Sequence, residues 1–153
     1  MDIRDRAVGY INIKPRTEAQ LRRYLTSKKY EESEIDQVIS ELKEYHYIDD
    51  LQYAKMYLEY GYEKGRGDIR IRQELREKGV DNLLIQQAFD EAEDLPDERE
   101  IARNIAISAL SGTDPDGLEH AEREKLKARI ARRLASRGFN SEIVYGVLRE
   151  IGL

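Results

Sequence analysis

Residues 71–80 read IRQELREKGV, and the same pattern occurs at two other places in the chain. It matches LRRYLTSKKY at residues 21–30 and IARRLASRGF at residues 130–139, so the copies start about 50 and 59 residues apart. Each copy has two apolar residues four positions apart, which is typical of one face of a helix. A period of this length is typical of arrays of helical repeats. The pattern therefore predicts an all-α protein with internal repeats.

A second apolar stripe follows each copy and predicts a second helix, with apolar residues at i, i+3 and i+4. These stripes begin at Ile35, Ile85 and Val144. An amphipathic segment also precedes each copy: DRAVGYINIK, DDLQYAKMYLEYGYEKG and PDEREIARNIAISALSG. Three helices per unit and three units is the simplest count. We therefore predict tandem three-helix repeats at residues 1–48, 49–95 and 96–153 that form an elongated, curved array.

Turn-forming residues separate the two predicted helices of each pair. In two repeats a glycine ends the first helix as a left-handed cap, and an Asp or Asn follows as the N-cap of the next. These residues are Gly79 with Asp81 and Gly138 with Asn140. The first repeat departs from the pattern at both positions, where it has Lys29 and Glu31.

The first helix of each pair also has a recognisable start. Thr17 followed by Gln20 is a capping-box pattern, and the repeat alignment places Gly67 where Thr17 stands. Gly67 is therefore predicted to be an N-cap. Either Asp49 or Asp50 would cap the helix that opens the second repeat.

Charge and cysteine content limit the possible classes of function. The chain has 31 acidic and 26 basic residues, a formal net charge of -5 and no cysteine. Disulfides and cysteine metal sites are therefore excluded. No segment approaches the roughly 18 apolar residues of a membrane span, and the N-terminus lacks the pattern of a signal peptide. We predict a cytoplasmic protein without membrane contact. It is predicted to be a monomer, because no apolar face is left over for a second copy.

The sequence contains no convincing catalytic or cofactor motif. GYEKGRGD at residues 61–68 lacks the strand and the Lys-Ser/Thr ending of a phosphate-binding loop, so we interpret it as a helix junction. His46 and His120 are isolated and lack the partner that a metal site on a helix needs. Asp114 and Asp116 lack the spacing of a calcium loop and are interpreted as linker and helix cap. We predict no enzyme activity, no cofactor and no metal.

Basic residues concentrate on the first helix of each pair. If Ile71 and Leu75 face inward, Arg72 and Arg76 lie together on another face at i and i+4. A solvated face with intrahelical Glu–Arg pairs is the alternative interpretation. The candidate binding residues are Arg22, Arg23, Arg70, Arg72, Arg76, Lys78, Lys125, Lys127, Arg129, Arg132, Arg133 and Arg137.

Residues 44–80, EYHYIDDLQYAKMYLEYGYEKGRGDIRIRQELREKGV, are similar to the RecX family, regulatory proteins of the bacterial recombinase RecA. The similarity lies in YIDD followed by YA, then a glycine, IRIRQEL and KGV. It extends to TEAQLRRYL upstream and IARRLASRGF downstream, so it covers nearly the whole chain. The resemblance implies tandem three-helix repeats and a non-enzymatic protein. It also implies a protein that binds RecA nucleoprotein filaments, lies in the filament groove and restrains recombinase, ATPase and co-protease activities.

The resemblance also assigns roles to individual positions. It implies that residues 70–78 contact the filament and that four residues are structural signature positions, namely Asp49, Asp50, Tyr53 and Ala54. Two features depart from the family pattern. His46 stands where the family usually has glycine, and the net acidity argues against a tight grip on DNA alone.

Two functions are therefore compared. The first is a RecA-filament regulator, with DNA contacted through the filament. The alternative is a direct DNA-binding module that uses its three-helix units in the manner of a helix-turn-helix. Binding that neutralises many phosphates weakens steeply with salt, which distinguishes the alternative from protein–protein docking.

Overall fold

The computed structural model describes residues 1–153, which form nine α-helices, one short 3-10 helix and no strand. The 3-10 helix, Pro115–Gly117, lies between α7 and α8. The α-helices are α1 Ile3–Ile13, α2 Glu18–Ser27, α3 Glu32–Glu44, α4 Asp50–Glu63, α5 Asp68–Glu77, α6 Asn82–Glu91, α7 Glu98–Leu110, α8 His120–Ser136 and α9 Ser141–Glu150. The predicted all-α class with three helices per set is confirmed.

Contacts between Cα atoms divide the chain into two compact units. The first consists of Met1–Leu58 with Glu74–Ala92, and the second of Glu59–Gln73 with Glu93–Leu153. One complete three-helix set lies in each unit, α1–α3 in the first and α7–α9 in the second. We retain residues 1–48, 49–95 and 96–153 as the proposed division of the chain into repeats.

In the first unit, α1, α2 and α3 pack pairwise around one apolar core. Helices α2 and α3 contribute the apolar stripes that the sequence predicts, so the i, i+4 and i, i+3, i+4 patterns are their buried faces, and α1 contributes Ala7. The fully or nearly buried side chains of this core are Ala7, Leu21, Leu25, Ile35, Val38, Ile39, Leu42 and Ile48.

In the second unit, α7, α8 and α9 pack around an equivalent core. Alanines dominate the α7 face, which allows the larger side chains of α8 and α9 to approach it closely. The buried residues are Ala102, Ala106, Ala109, Leu126, Ile130, Leu134, Phe139, Val144, Val147 and Leu148. The predicted core positions of the middle repeat, Ile71 and Leu75, are also fully buried.

The predicted helix caps are confirmed. The Gln20 amide donates to Thr17 Oγ1 at 3.1 Å, and the Thr17 amide donates to Gln20 Oε1 at 3.0 Å, which completes the capping box. Asp81 accepts a hydrogen bond from the Leu83 amide at 2.8 Å, and Asn140 accepts one from the Ile143 amide at 2.9 Å. These bonds satisfy backbone donors that the first turn leaves without helical partners.

The chain turns through left-handed conformations after the first helix of each pair. Gly79 and Gly138 have φ of 88° and 96°, as predicted, and Lys29 has φ of 72° although it carries a side chain. The first repeat therefore keeps the turn without its glycine. His46 also has a left-handed φ, 62°. Glycine adopts this conformation without the strain that a Cβ adds.

Replacing Lys29 or His46 with glycine is expected to raise the free energy of unfolding by about 0.5 to 1 kcal/mol. The substitution removes the left-handed strain of a side-chain-bearing residue, which exceeds the extra chain entropy that glycine adds to the unfolded state. Urea unfolding of each variant measures the change. Lys28→Gly is the control, because Lys28 has φ of -90° and gains nothing from glycine. Loss of stability in all three variants would contradict this explanation.

Within the first unit, the start of α2 binds the C-terminal end of α5. Thr17 Oγ1 donates to the Lys78 carbonyl at 2.7 Å, and the Glu18 amide donates to Asp50 Oδ1 at 2.9 Å. A Cβ built on Gly79 would lie 2.2 Å from the Ala19 Cβ, so only glycine permits this approach. Gly79 is therefore required both by its φ and by the neighbouring helix.

Within the second unit, the start of α5 binds the C-terminal end of α8 in the same way. The Gly67 amide donates to the Arg137 carbonyl at 2.8 Å, and the Ile69 amide donates to the Gly138 carbonyl at 3.1 Å. The Asp68 amide donates to Glu98 Oε1 at 2.7 Å. The same junction is thus formed twice. In each case the first residue of a later helix accepts a hydrogen bond from the first amide of an earlier one: Asp50 of α4 accepts from α2, and Glu98 of α7 accepts from α5.

Candidate interaction surface

Helix α8 carries five of the twelve predicted binding residues. Its core face is formed by Leu126, Ile130 and Leu134, as predicted from the sequence. Four predicted cations are exposed and one, Lys127, is half-buried. The exposed ones are Lys125, Arg129, Arg132 and Arg133. Core burial of the apolar stripe therefore directs these side chains to the surface.

These five cations form no ion pair within the chain. The alternative of a face neutralised by intrahelical Glu–Arg pairs is therefore not found for this part of α8. Like charges that are neither paired nor buried produce a local positive potential, even though the net charge of the chain is -5. Helix α8 thus presents a positive surface in an acidic protein.

Arg137 and Arg70 occupy a different environment, at the junction between α5 and α8. The Arg137 guanidinium donates from Nη1 to the Lys64 carbonyl at 3.2 Å, and its own carbonyl accepts from Gly67. Arg70 lies against Gly138, whose added Cβ would be 2.4 Å from the Arg70 Cβ. Both residues contribute to packing between helices. A binding role for either residue stays a prediction.

The predicted residues on α5 also differ from one another. Arg72 is half-buried and close enough to Tyr62 for its charge to lower the pKa of the tyrosine hydroxyl, against the larger effect of burial. Arg76 is exposed. The Lys78 ammonium lies 5.4 Å from the centre of the Tyr57 ring, a cation–π contact. Of the predicted cations between Arg70 and Lys78, Arg76 is the one that is exposed.

On α2, one of the two predicted arginines is paired within the chain and the other is exposed. Arg22 Nη1 donates to Asp36 Oδ1 at 2.6 Å, which joins α2 to α3. Arg23 is exposed. An exposed ion pair of this kind contributes little to stability, about 0 to 1 kcal/mol.

Asp50 and Glu98 occupy equivalent positions, and this equivalence was not predicted from the sequence. Asp49 is the residue that caps α4, because its Oδ1 accepts from the Gln52 amide at 3.1 Å. Asp50 instead reaches the Glu18 amide, and Glu98 has the equivalent position at the start of α7. The repeat alignment contains the necessary signal, since both are the first residue of the first helix in a set.

Glu98 lies in a half-buried acidic cluster with Asp68 and Tyr62. Tyr62 donates from its hydroxyl to Asp68 Oδ1 at 2.5 Å. Burial raises the pKa of Glu98 to about 7, and the neighbouring charges of Asp68 and Asp97 act in the same direction. Burial likewise raises the pKa of Tyr62 and, in the first unit, the pKa of Asp50.

Replacing Glu98 with glutamine is expected to flatten the dependence of stability on pH. The folded pKa of about 7 lies above the ordinary value of 4.5, so the folded state binds more protons between these pH values. The contribution of this carboxyl to stability is therefore present below about pH 4.5 and is lost as the pH rises through about 7. The expected loss in the parent is about 1 kcal/mol, allowing for solvent around a half-exposed carboxyl.

Urea unfolding at a series of pH values measures this effect. Glu100→Gln is the matched control, because Glu100 is exposed in the same first turn of α7. Equal pH slopes for the parent, Glu98→Gln and Glu100→Gln would contradict the assignment to Glu98.

The structure shows no group of three or more His, Cys, Asp or Glu side chains that could hold a metal ion. None of its helices combines the length and apolar character needed to span a lipid bilayer.

Two solved structures share this fold. The crystal structure of RecX from Lactobacillus salivarius matches with a TM-score of 0.81 at 20% identity, covering 97% of this chain and 94% of that chain. A crystal structure of regulatory protein RecX matches with a TM-score of 0.76 at 23% identity, covering 97% of this chain and 70% of that chain. At these identities the comparison shows the fold.

Family models and sequence relatives agree with the fold. The model of the first three-helix domain of RecX matches residues 4–42, and that of the second three-helix domain matches residues 49–88. Regulatory protein RecX of Vibrio vulnificus is 33% identical over 142 residues, which cover 93% of this chain and 88% of the relative. Regulatory protein RecX of Cronobacter sakazakii is 32% identical over 155 aligned positions, covering 95% and 89%. This chain therefore belongs to the RecX family of regulatory proteins.

Proposed function

We propose that this chain binds the RecA nucleoprotein filament and inhibits the recombinase, ATPase and co-protease activities of RecA. The observation that carries the proposal is the cluster of unpaired cations on α8 in a chain that belongs to the RecX family. The proposal assigns no catalytic step to the chain. RecA and filament-bound DNA both offer negative groups to such a surface.

The distribution of charge supports docking on a filament more than independent binding to DNA. A net charge of -5 repels free polyanions at long range, whereas the α8 cations attract negative groups at short range. Contacts with filament protein can therefore place α8 close to phosphates or carboxylates that it would otherwise approach slowly. Tandem repeats suit this task because they present several helices along one partner.

The test is the ATPase rate of RecA on single-stranded DNA, titrated with the chain. We expect the parent to lower the rate, and Arg132→Glu/Arg133→Glu to need a concentration about tenfold higher for half-inhibition, equivalent to about 1.4 kcal/mol. Melting should change little, since exposed substitutions usually alter stability by about 0.5 kcal/mol. Arg103→Glu/Arg149→Glu is the matched control, with the same charge change at exposed residues of α7 and α9. An unchanged ATPase rate with the parent would contradict the proposal.

A separate variant tests the predicted contact on α5. Arg76→Glu isolates the accessible residue, whereas replacing Arg72 as well would alter a half-buried side chain. We expect Arg76→Glu to keep its melting temperature and to lose inhibition. If it folds and inhibits as well as the parent, Arg76 is not part of the contact surface.

Salt dependence distinguishes filament docking from the direct DNA-binding alternative. Affinity for a thymidine oligonucleotide is measured without RecA at increasing salt. A protein that neutralises many phosphates loses affinity steeply, with a logarithmic slope of about -0.7 per phosphate contacted on single strands. We expect weak binding and a shallow slope. Tight binding with a steep slope, together with no effect on RecA, would favour the alternative.

A further inference from the structure

A groove runs beside α8 in the second unit. It is open to solvent and has a volume of about 590 Å³. One wall comes from the connection that follows α7, through Thr113 and Leu118, and the other comes from α8. The size lies within the range of about 300 to 1,000 Å³ that is common for ligand sites in proteins. It is large enough to admit bulky side chains of a partner.

The groove combines an apolar floor with a cationic edge. Leu118 and Leu126 supply the floor, and both pack against the core of α7, α8 and α9. The edge carries Lys125, Arg129 and Arg132, which follow one another along α8 at i, i+4 and i+7. This spacing places all three on one side of the helix. The three cations are also among those that form no ion pair within the chain.

This combination fits a peptide better than a nucleic-acid backbone. Phosphates bind cations and amide donors, but they make no use of a leucine floor. A peptide with acidic and large apolar side chains uses both parts of the groove, since burial of one leucine is worth about 1.5 to 3 kcal/mol. Glu122 lines the groove near the start of α8, so the acidic part of the peptide would lie toward Arg132.

We propose that the α8 groove binds an acidic peptide segment of a protein partner. An apolar side chain of the segment lies on Leu118 and Leu126, and its carboxylates pair with Lys125, Arg129 and Arg132. This inference deepens the proposed function. It rests on that function in one respect, namely that the partner is a protein of the filament. It makes the groove a site for protein recognition.

The direct test uses fluorescence anisotropy with a short fluorescein-labelled peptide of glutamates interrupted by leucines. Two further probes have the same charge: the peptide with serine in place of leucine, and a thymidine oligonucleotide. We expect the leucine peptide to bind at least about tenfold more tightly than either, because only it can bury apolar area in the groove. Equal binding of all three probes would show a non-specific cationic surface and overturn the proposal. Tighter binding of the oligonucleotide would assign the groove to nucleic acid and would also overturn it.

Variants locate the binding in the groove. Arg129→Glu should weaken binding of the leucine peptide about tenfold or more, whereas Arg149→Glu on α9 should leave it unchanged. Leu118→Ser should abolish the preference for the leucine peptide over the serine peptide. The part of the binding affinity that depends on charge should remain. Circular dichroism checks that each variant is folded. If Arg129→Glu and Arg149→Glu weaken binding equally, the peptide is bound elsewhere and the proposal is wrong.

A competition experiment separates this inference from the proposed function. If the parent inhibits RecA ATPase, excess leucine peptide should relieve the inhibition and the serine peptide should not. Inhibition that the leucine peptide leaves unchanged would overturn the groove as a contact with the filament, while leaving the proposed function intact. Failure of the parent to inhibit RecA would contradict the proposed function. In that case the anisotropy measurements would still show whether the groove binds the leucine peptide in preference to the other two probes.

Discussion

Replacing Gly138 with alanine is expected to lower the free energy of unfolding by about 3 to 5 kcal/mol. Gly138 has φ of 96°, a conformation that costs residues with a side chain about 1 to 2 kcal/mol. The new Cβ would also lie 2.4 Å from the Arg70 Cβ and 2.5 Å from the Arg70 amide nitrogen. Because part of this obstacle is backbone, a side-chain rotation cannot relieve it.

The start of α5 would have to move away from α8 to accommodate the alanine. That movement would weaken the hydrogen bonds from the Gly67 and Ile69 amides to the Arg137 and Gly138 carbonyls. Each such bond contributes about 0.5 to 1.5 kcal/mol, and an unpaired buried donor costs more. The expected loss is therefore the sum of local strain and damage to the junction.

Gly112→Ala is the matched control for this prediction. Gly112 has a similar left-handed φ of 78°, but a Cβ there would meet nothing within 4 Å. We expect the free energy of unfolding of Gly112→Ala, measured with urea, to fall by about 1 kcal/mol, which is the cost of the left-handed conformation alone. Equal losses at the two glycines would mean that the close approach of α5 and α8 does not contribute to stability.

Replacing Leu134 with alanine is expected to cost about 2 to 5 kcal/mol, the usual range for a leucine deleted from a packed core. Leu134 is completely buried among residues of α7, α8 and α9. The loss combines the transfer of its side chain to water with the cavity that remains. Leu25 and Leu75 occupy the equivalent positions of the other repeats and are also completely buried. The same range is therefore expected for all three.

Leu83→Ala is the control for these core variants, because Leu83 is 81% exposed on α6. Its unfolding free energy should change by no more than about 0.5 kcal/mol. Losses below about 1 kcal/mol at Leu25, Leu75 and Leu134 would show that the repeat alignment does not identify the core.

The local pattern of the sequence was sufficient to predict the helices and their buried faces. A residue at i and its neighbours at i+3 and i+4 share one side of a helix whatever the rest of the chain does. Leu21, Leu25, Ile130 and Leu134 are completely buried for this reason. The capping box at Thr17 is local as well, since both of its hydrogen bonds join residues three positions apart.

The turn in the first repeat shows where this local reasoning is incomplete. Lys29 has no propensity for a left-handed conformation, yet it adopts φ of 72° like the glycines of the other repeats. The two helices that it joins pack on one core, and the gain from that packing exceeds the strain of one residue. His46 also has a left-handed φ, 62°, but histidine adopts this conformation more readily than lysine does.

For the candidate surface, too, some features follow from the local sequence and others follow only from the tertiary structure. The sequence by itself determined that α8 and α5 carry cations beside an apolar stripe. Only the tertiary structure decided that Arg76 and Arg132 are exposed, while Arg72 is half-buried and Arg137 binds the Lys64 carbonyl. It also decided that Glu98 caps α5 from another helix and that Leu118 forms a groove with the α8 cations. The physical reason is that helical periodicity depends on neighbours within one turn, whereas burial, pairing and grooves depend on residues that are distant along the chain.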